Sequence, residues 1–181
     1  MPARLRDTFA HDFARQPQMM QLFIELFGPY PLSNGYTVVV TDDELEMPLE
    51  AQGISIFGAN HCDGTRRSER LIAHELAHQW FGNSVTVRRW RDRESPQDLL
   101  LADPGPKDMF DDRVYKRGAL TLHALRKQLG DENFFALLRD WTARYRHGTV
   151  VTDDFTGLAA KYAHESLRPL WEAWLYSTGV P

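Results

Sequence analysis

Ser68-Glu69-Arg70-Leu71-Ile72-Ala73-His74-Glu75-Leu76-Ala77-His78-Gln79-Trp80-Phe81-Gly82 is the stretch from which the rest of the chain is read. It has the pattern of a helix, with Ser68 as a suitable N-cap and Gly82 as its end. Inside it stands H-E-x-x-H, from His74 to His78. Four residues of helix make about one turn and rise roughly 6 Å, so the two imidazoles stack on one face and can share a small ion. Imidazole nitrogen is a favoured Zn²⁺ ligand, and a catalytic site takes three protein ligands and keeps a position for water. His74 and His78 supply two of the three. Glu75 follows the first ligand by one residue, which lets its carboxylate reach the metal-bound water rather than the metal and act as general base. The alternative is an ordinary pair of histidines beside a solvated glutamate. The apolar flanks Leu71-Ile72-Ala73 and Trp80-Phe81 weigh against it, because burying an unliganded His-Glu-His cluster leaves costly polar groups.

The composition narrows the setting. At 181 residues the chain is long enough for one substantial domain or two lobes around a cleft, and it needs no disulfide to fold. Cys62 is its sole cysteine, which excludes an internal disulfide framework and a cysteine-based metal site and fits a reducing, cytoplasmic compartment. No apolar run is long enough to span a membrane, and Met1 to Asp7 lacks the apolar core of a signal peptide. A net charge of −4 gives no basic field for nucleic acid. The local cluster Arg88-Arg89-Trp90-Arg91-Asp92-Arg93 reads as a solvated strand end without a catalytic role.

Working outward, Gln18 to Phe27 carries apolar residues at helical spacing and stops at Gly28-Pro29. Tyr36 to Thr41 is dense in β-branched residues and reads as a buried strand, with further extended pieces at Met47 to Gln52 and Ile54 to Phe57. After Ser84 the chain turns extended, and the prolines at 96, 104 and 106 exclude a long helix before Asp111. The remainder is helical: Asp112 to Leu129 ends at Gly130, Asp131 caps a helix towards His147-Gly148, Thr152 caps one to about His164, and Ser166 opens the last. A small sheet followed by a helical half predicts an α+β fold, with residues 1–110 as the sheet and motif-helix lobe and 111–181 as the helical lobe.

The run from His74 to Asn83 resembles the zinc helix of the aminopeptidase N family, whose catalytic domain is thermolysin-like. Phe27-Gly28-Pro29-Tyr30-Pro31 resembles the family's entry into that domain, Leu49-Glu50-Ala51-Gln52 its exopeptidase signature, and Val114-Tyr115-Lys116-Arg117-Gly118-Ala119 its tyrosine motif. The resemblance implies one Zn²⁺ per chain on His74 and His78, Glu75 as the water-activating base, and Tyr115 as the hydrogen-bond donor to the oxyanion. Glu50 would pair with the free α-amino end of a peptide, although the family's G-A-M-E-N reads Met47-Pro48-Leu49-Glu50-Ala51 and keeps only the glutamate. The implied activity is zinc-dependent hydrolysis of N-terminal peptide bonds in peptides with a free N-terminus, with no nucleic-acid or membrane partner.

One part of the pattern is lacking. The family's third ligand is a glutamate on the next helix, within N-E-G-F-A, and its place falls at Gln97. The surrounding Arg93-Glu94-Ser95-Pro96-Gln97-Asp98 bears no trace of that motif. The real molecule has a segment that this sequence omits, or the gene carries an internal deletion, or Glu94, Asp92 or Asp98 substitutes; Glu94 is the nearest carboxylate of the correct type. The family's N-terminal β-domain and C-terminal helical domain also have no counterpart, so apolar surface is left to drive self-association. The rival reading is a catalytically silent, truncated relative serving as a binding or assembly module.

Overall fold

The computed structural model describes residues 1–87, 101–102, 111–178 and 181, with only the backbone at Val87, Asp112 and Arg113. The arginine cluster, the proline-rich stretch and the candidate ligands Asp92, Glu94 and Asp98 lie outside these residues. The fold is α+β, as expected: a small sheet and a mostly helical remainder. The chain forms two compact units, Met1–Thr86 with Thr142–Gly148, and Val87–Trp141 with Thr149–Pro181.

The first unit begins with helices α1 (Arg6–Asp12) and α2 (Gln16–Phe27), the latter carrying Pro17 in its first turn, where a missing N–H costs nothing. Strands β1 (Thr37–Val40), β2 (Leu49–Ala51) and β3 (Ile54–Phe57) form a sheet in the order β1-β3-β2, with β1 parallel and β2 antiparallel to β3. The central strand buries Ser55 and Phe57. β1 is an edge strand with only Val40 buried, so the expectation of a buried strand fails: its β-branched run answers to pleated geometry rather than to burial. Phe57, Val40, Ile72, Leu5, Phe13 and Cys62 form one apolar cluster.

Helix α3 (Glu69–Ala77) has Ser68 at its N-cap position, without a side-chain cap bond. The loop before it is fastened from a distance. Asp12, 2% exposed, accepts from the backbone N–H of Gly64 at 2.8 Å and of Arg66 at 3.1 Å. The helix does not run to Gly82. It ends at Ala77, because the N–H groups of Gln79 and Trp80 turn to the carbonyls three residues back (3.1 Å each), which tightens the last turn. Trp80 is then buried against Phe23, Phe27 and Tyr30, and its indole N–H donates to the Gly28 carbonyl at 3.0 Å. This unit also holds β4's start; β4 is Val85–Val87.

The second unit contains most of α4 (Asp112–Arg144), together with α5 (Thr152–Ala159) and α6 (Arg168–Trp174); β5 is Gly148–Val150. At Gly130 the backbone leaves helical geometry with φ 76°, a conformation suited to glycine, and the expected break falls there. Two expected caps do not form as read. Asp131 is taken up by a two-pronged bond from Arg126 (2.7 and 2.8 Å), and α5 is closed by Asp154, whose carboxylate accepts the Val151 N–H at 2.8 Å. α5 also stops at Ala159, short of His164. Trp141, Phe155 and Trp171 meet edge to face, and Leu137, Leu158 and Leu167 of the same unit are buried. Among the described residues no helix is long and apolar enough to cross a membrane.

Candidate metal centre

His74 sits in the last turn of α3 and His78 at its C-cap, where φ −55° and ψ −24° keep the backbone helical for one more residue. That single residue preserves the four-residue spacing after the hydrogen-bond ladder has tightened. The rings stand at 88° to each other with centroids 4.6 Å apart, and the two Nε2 atoms face one another at 3.1 Å. His78 Nδ1 lies 3.1 Å from the Phe81 carbonyl, which can only accept. Nδ1 therefore carries the hydrogen, and in the neutral ring Nε2 presents its lone pair towards His74. Gly82 permits this arrangement: its φ is 117°, and a Cβ there would come within 3.1 Å of His78 Nδ1.

Glu75, like Ile72 and Leu76, is one of the buried residues of α3. It is 3% exposed, and its Oε2 has no hydrogen-bond partner. Burial, with the nearby Glu50 adding, pushes its carboxyl up to about 7. His74 is lowered, first by burial and then by His78, with Glu50 opposing.

Glu50 comes from β2, paired in register with Ser55. Its Oε1 lies 4.0 Å from His78 Nε2. Single donor atoms of Glu50, Glu75 and His78 fall within 4.8 Å of one another. A residue that sequence reasoning passed over holds this strand to the helix. Gln79 is fully buried; its Oε1 accepts the Gly53 N–H at 2.8 Å and its amide donates to the Ala51 carbonyl at 3.1 Å. Its place directly after the motif gave no periodic signal of this task.

Of the residues singled out from sequence, the structure thus gathers His74, Glu75, His78 and Glu50. Tyr115 lies on α4 in the second unit and is 50% exposed. Glu94 is outside the described residues. The donors present suit a divalent cation on the structure's own terms: two imidazole nitrogens at the spacing of neighbouring ligands, and a buried carboxylate oxygen that nothing else satisfies.

The perturbed carboxyl has a consequence for the metal-free chain. A carboxyl raised on folding contributes stability in full below its unfolded value, and that contribution is lost as pH rises through the folded one. Between the ordinary value of 4.5 and about 7, Glu75 is expected to withdraw up to ~3 kcal/mol. Chelator-dialysed wild type should lose stability to urea from pH 4.5 to 8 relative to Glu75→Gln; parallel curves for the two would refute this.

Residues 11–93 and 100–174 match the peptidase family M1 domain. A leucyl aminopeptidase of Saccharolobus solfataricus is 24% identical over 160 residues, covering 64% of this chain and 20% of its own length. Since those 160 positions take up only 64% of 181 residues, about 40 positions of that relative face no residue here. Among solved structures, an M1 zinc metallopeptidase of Deinococcus radiodurans superposes with TM-score 0.78 at 25% identity, over 93% of this chain and 45% of that one. Aminopeptidase A of Legionella pneumophila, solved with aspartic acid, superposes with TM-score 0.81 at 16% identity, over 98% of this chain and 26% of its own, a likeness of fold alone. The chain thus spans about a fifth of the length of the first of these relatives and under half of the solved chains.

Proposed function

The chain belongs to peptidase family M1 and is aminopeptidase N-like, and on that premise we propose that it is a zinc-dependent metallopeptidase that hydrolyses the N-terminal bond of peptides with a free N-terminus. The observation that carries this reading is the pair of imidazole nitrogens 3.1 Å apart beside a buried carboxylate oxygen without a partner. His74 and His78 would hold the ion. When bound, Zn²⁺ supplies Lewis acidity, polarising the scissile carbonyl and acidifying water.

The chain's own groups carry the protons. Glu75 accepts a proton from the attacking water and returns it to the departing amine, and its burial suits it to both steps. Glu50, a carboxylate close to His78, provides an acceptor for the substrate's ammonium and so favours the chain end over internal bonds. Tyr115 is assigned the O–H for the developing oxyanion on the tyrosine motif alone.

A second reading, a silent binding or assembly module, draws on one observation: the family match breaks between residues 93 and 100, where the third-ligand motif is lacking. One experiment separates the two. With an amino-acid amide of a fluorescent amine as substrate, chelation should remove at least nine-tenths of the release, roughly one decade, and added zinc should restore it. Release that survives chelation eliminates the enzyme as proposed, and zinc held without turnover favours the module.

A further inference from the structure

We infer that Glu50 is the third protein ligand of the metal site in this chain, binding through Oε1. The inference rests on the metallopeptidase reading above and deepens it. Catalytic zinc takes three protein ligands, and the two histidines supply only two. With ligand bonds of about 2.0–2.1 Å in tetrahedral array, neighbouring donor atoms stand roughly 3.4 Å apart. The His74–His78 pair, at 3.1 Å, is already near that spacing. Glu50 Oε1, at 4.0 Å from His78 Nε2, has well under an ångström to travel towards that nitrogen, and its side chain is 41% exposed and able to move; its approach to His74 is longer, since the group of donors within 4.8 Å that joins Glu50, Glu75 and His78 leaves His74 out.

The strand that carries Glu50 is held where a ligand would need it. Gln79 binds the backbone on either side of Gln52, at Ala51 and at Gly53, while Gln52 itself donates to the Asn83 carbonyl at 3.2 Å. The turn after β2 is therefore fastened to residues that follow His78 directly and five positions on. Such outer bonds are what orient metal ligands and keep their affinity. Charge argues in the same direction. Glu50 and Glu75 present two carboxylates to one small space, an arrangement that repels itself and that a divalent cation relieves. Of the two, Glu75 is buried beside the histidines and is needed as base, whereas Glu50 approaches His78 from the facing strand. Ligation by one oxygen leaves Oε2 as an acceptor, so the same carboxylate still receives a substrate's ammonium.

The test is zinc affinity of the full chain, measured without substrate by competition with a chromophoric chelator, alongside the visible absorption of the Co²⁺-loaded chain. Loss of an outer partner alone costs 10–100-fold in metal affinity. Glu50→Gln, lacking a ligand, is expected to weaken zinc by more than about a hundredfold and to change the Co²⁺ spectrum, with Glu94→Gln like wild type. Glu50 is exposed on an edge strand, and matching thermal melts of the metal-free proteins check that its variant folds. Wild-type zinc affinity in Glu50→Gln, or weakening in Glu94→Gln instead, overturns the assignment. His78→Ala reports separately on the underlying reading: if it too binds zinc like wild type, the metal centre itself is misplaced.

Discussion

Glu75→Gln is expected to lower amide hydrolysis by about 10²–10⁴-fold while zinc content stays at one ion per chain. The substitution keeps shape and volume and removes the ability to accept a proton. The site makes the effect large, because Glu75 is 3% exposed and Oε2 has no other bond to lose. A solvated glutamate in the same helix would be replaced with little consequence. The measurement is turnover number together with metal analysis of the same preparation. A variant that keeps a third or more of wild-type turnover, about 0.7 kcal/mol of barrier, removes Glu75 from the reaction. Loss of zinc along with activity would move it from base to ligand.

The second large effect concerns stability and lies far along the chain. Arg117, 5% exposed, donates to the carbonyls of Ala173, Trp174, Ser177 and Thr178. These belong to the end of α6 and the residues after it, where the helix leaves its last carbonyls without partners. One guanidinium thus takes up carbonyls that the local chain leaves over, after Ser177 Oγ has taken that of Glu172 at 2.7 Å and the N–H groups of Leu175 and Tyr176 that of Trp171. Bonds to a charged donor are worth roughly 1.5–3 kcal/mol each, and unpaired buried carbonyls add their desolvation. Arg117→Leu is expected to cost roughly 3–5 kcal/mol in chemical denaturation. Arg117→Lys should recover little, since a compact ammonium cannot span four acceptors as a planar fork does. A lysine variant as stable as wild type would show that the four bonds carry no such weight.

Local pattern explains how much was legible beforehand. The motif helix, the helix ending at Phe27, the strand Ile54–Phe57 and the break at Gly130 each follow from residues within a turn or two of one another. Where reading failed, a distant group had won. Helix α3 stops at Ala77 rather than Gly82 because Trp80 must turn inward onto Phe23, Phe27 and Tyr30. Asp131 does not cap because Arg126 holds it. β1 is not buried because, among the described residues, no strand covers its outer edge. Arg117 read as one letter of a motif, and Asp12 was not singled out, since nothing near either shows the carbonyls or N–H groups it will bind.

The sequence by itself determined that His74 and His78 share a helix face with Glu75 between them, because four-residue spacing is a property of the helix and needs no neighbours. It also determined the α+β order of elements, which follows from local periodicity. Only the tertiary structure decided that Glu50 faces His78 and that Gln79 binds it into place. Those contacts join residues 28 and 26 positions apart across a strand and a helix, and such pairing depends on how the elements pack, which no local run of letters encodes.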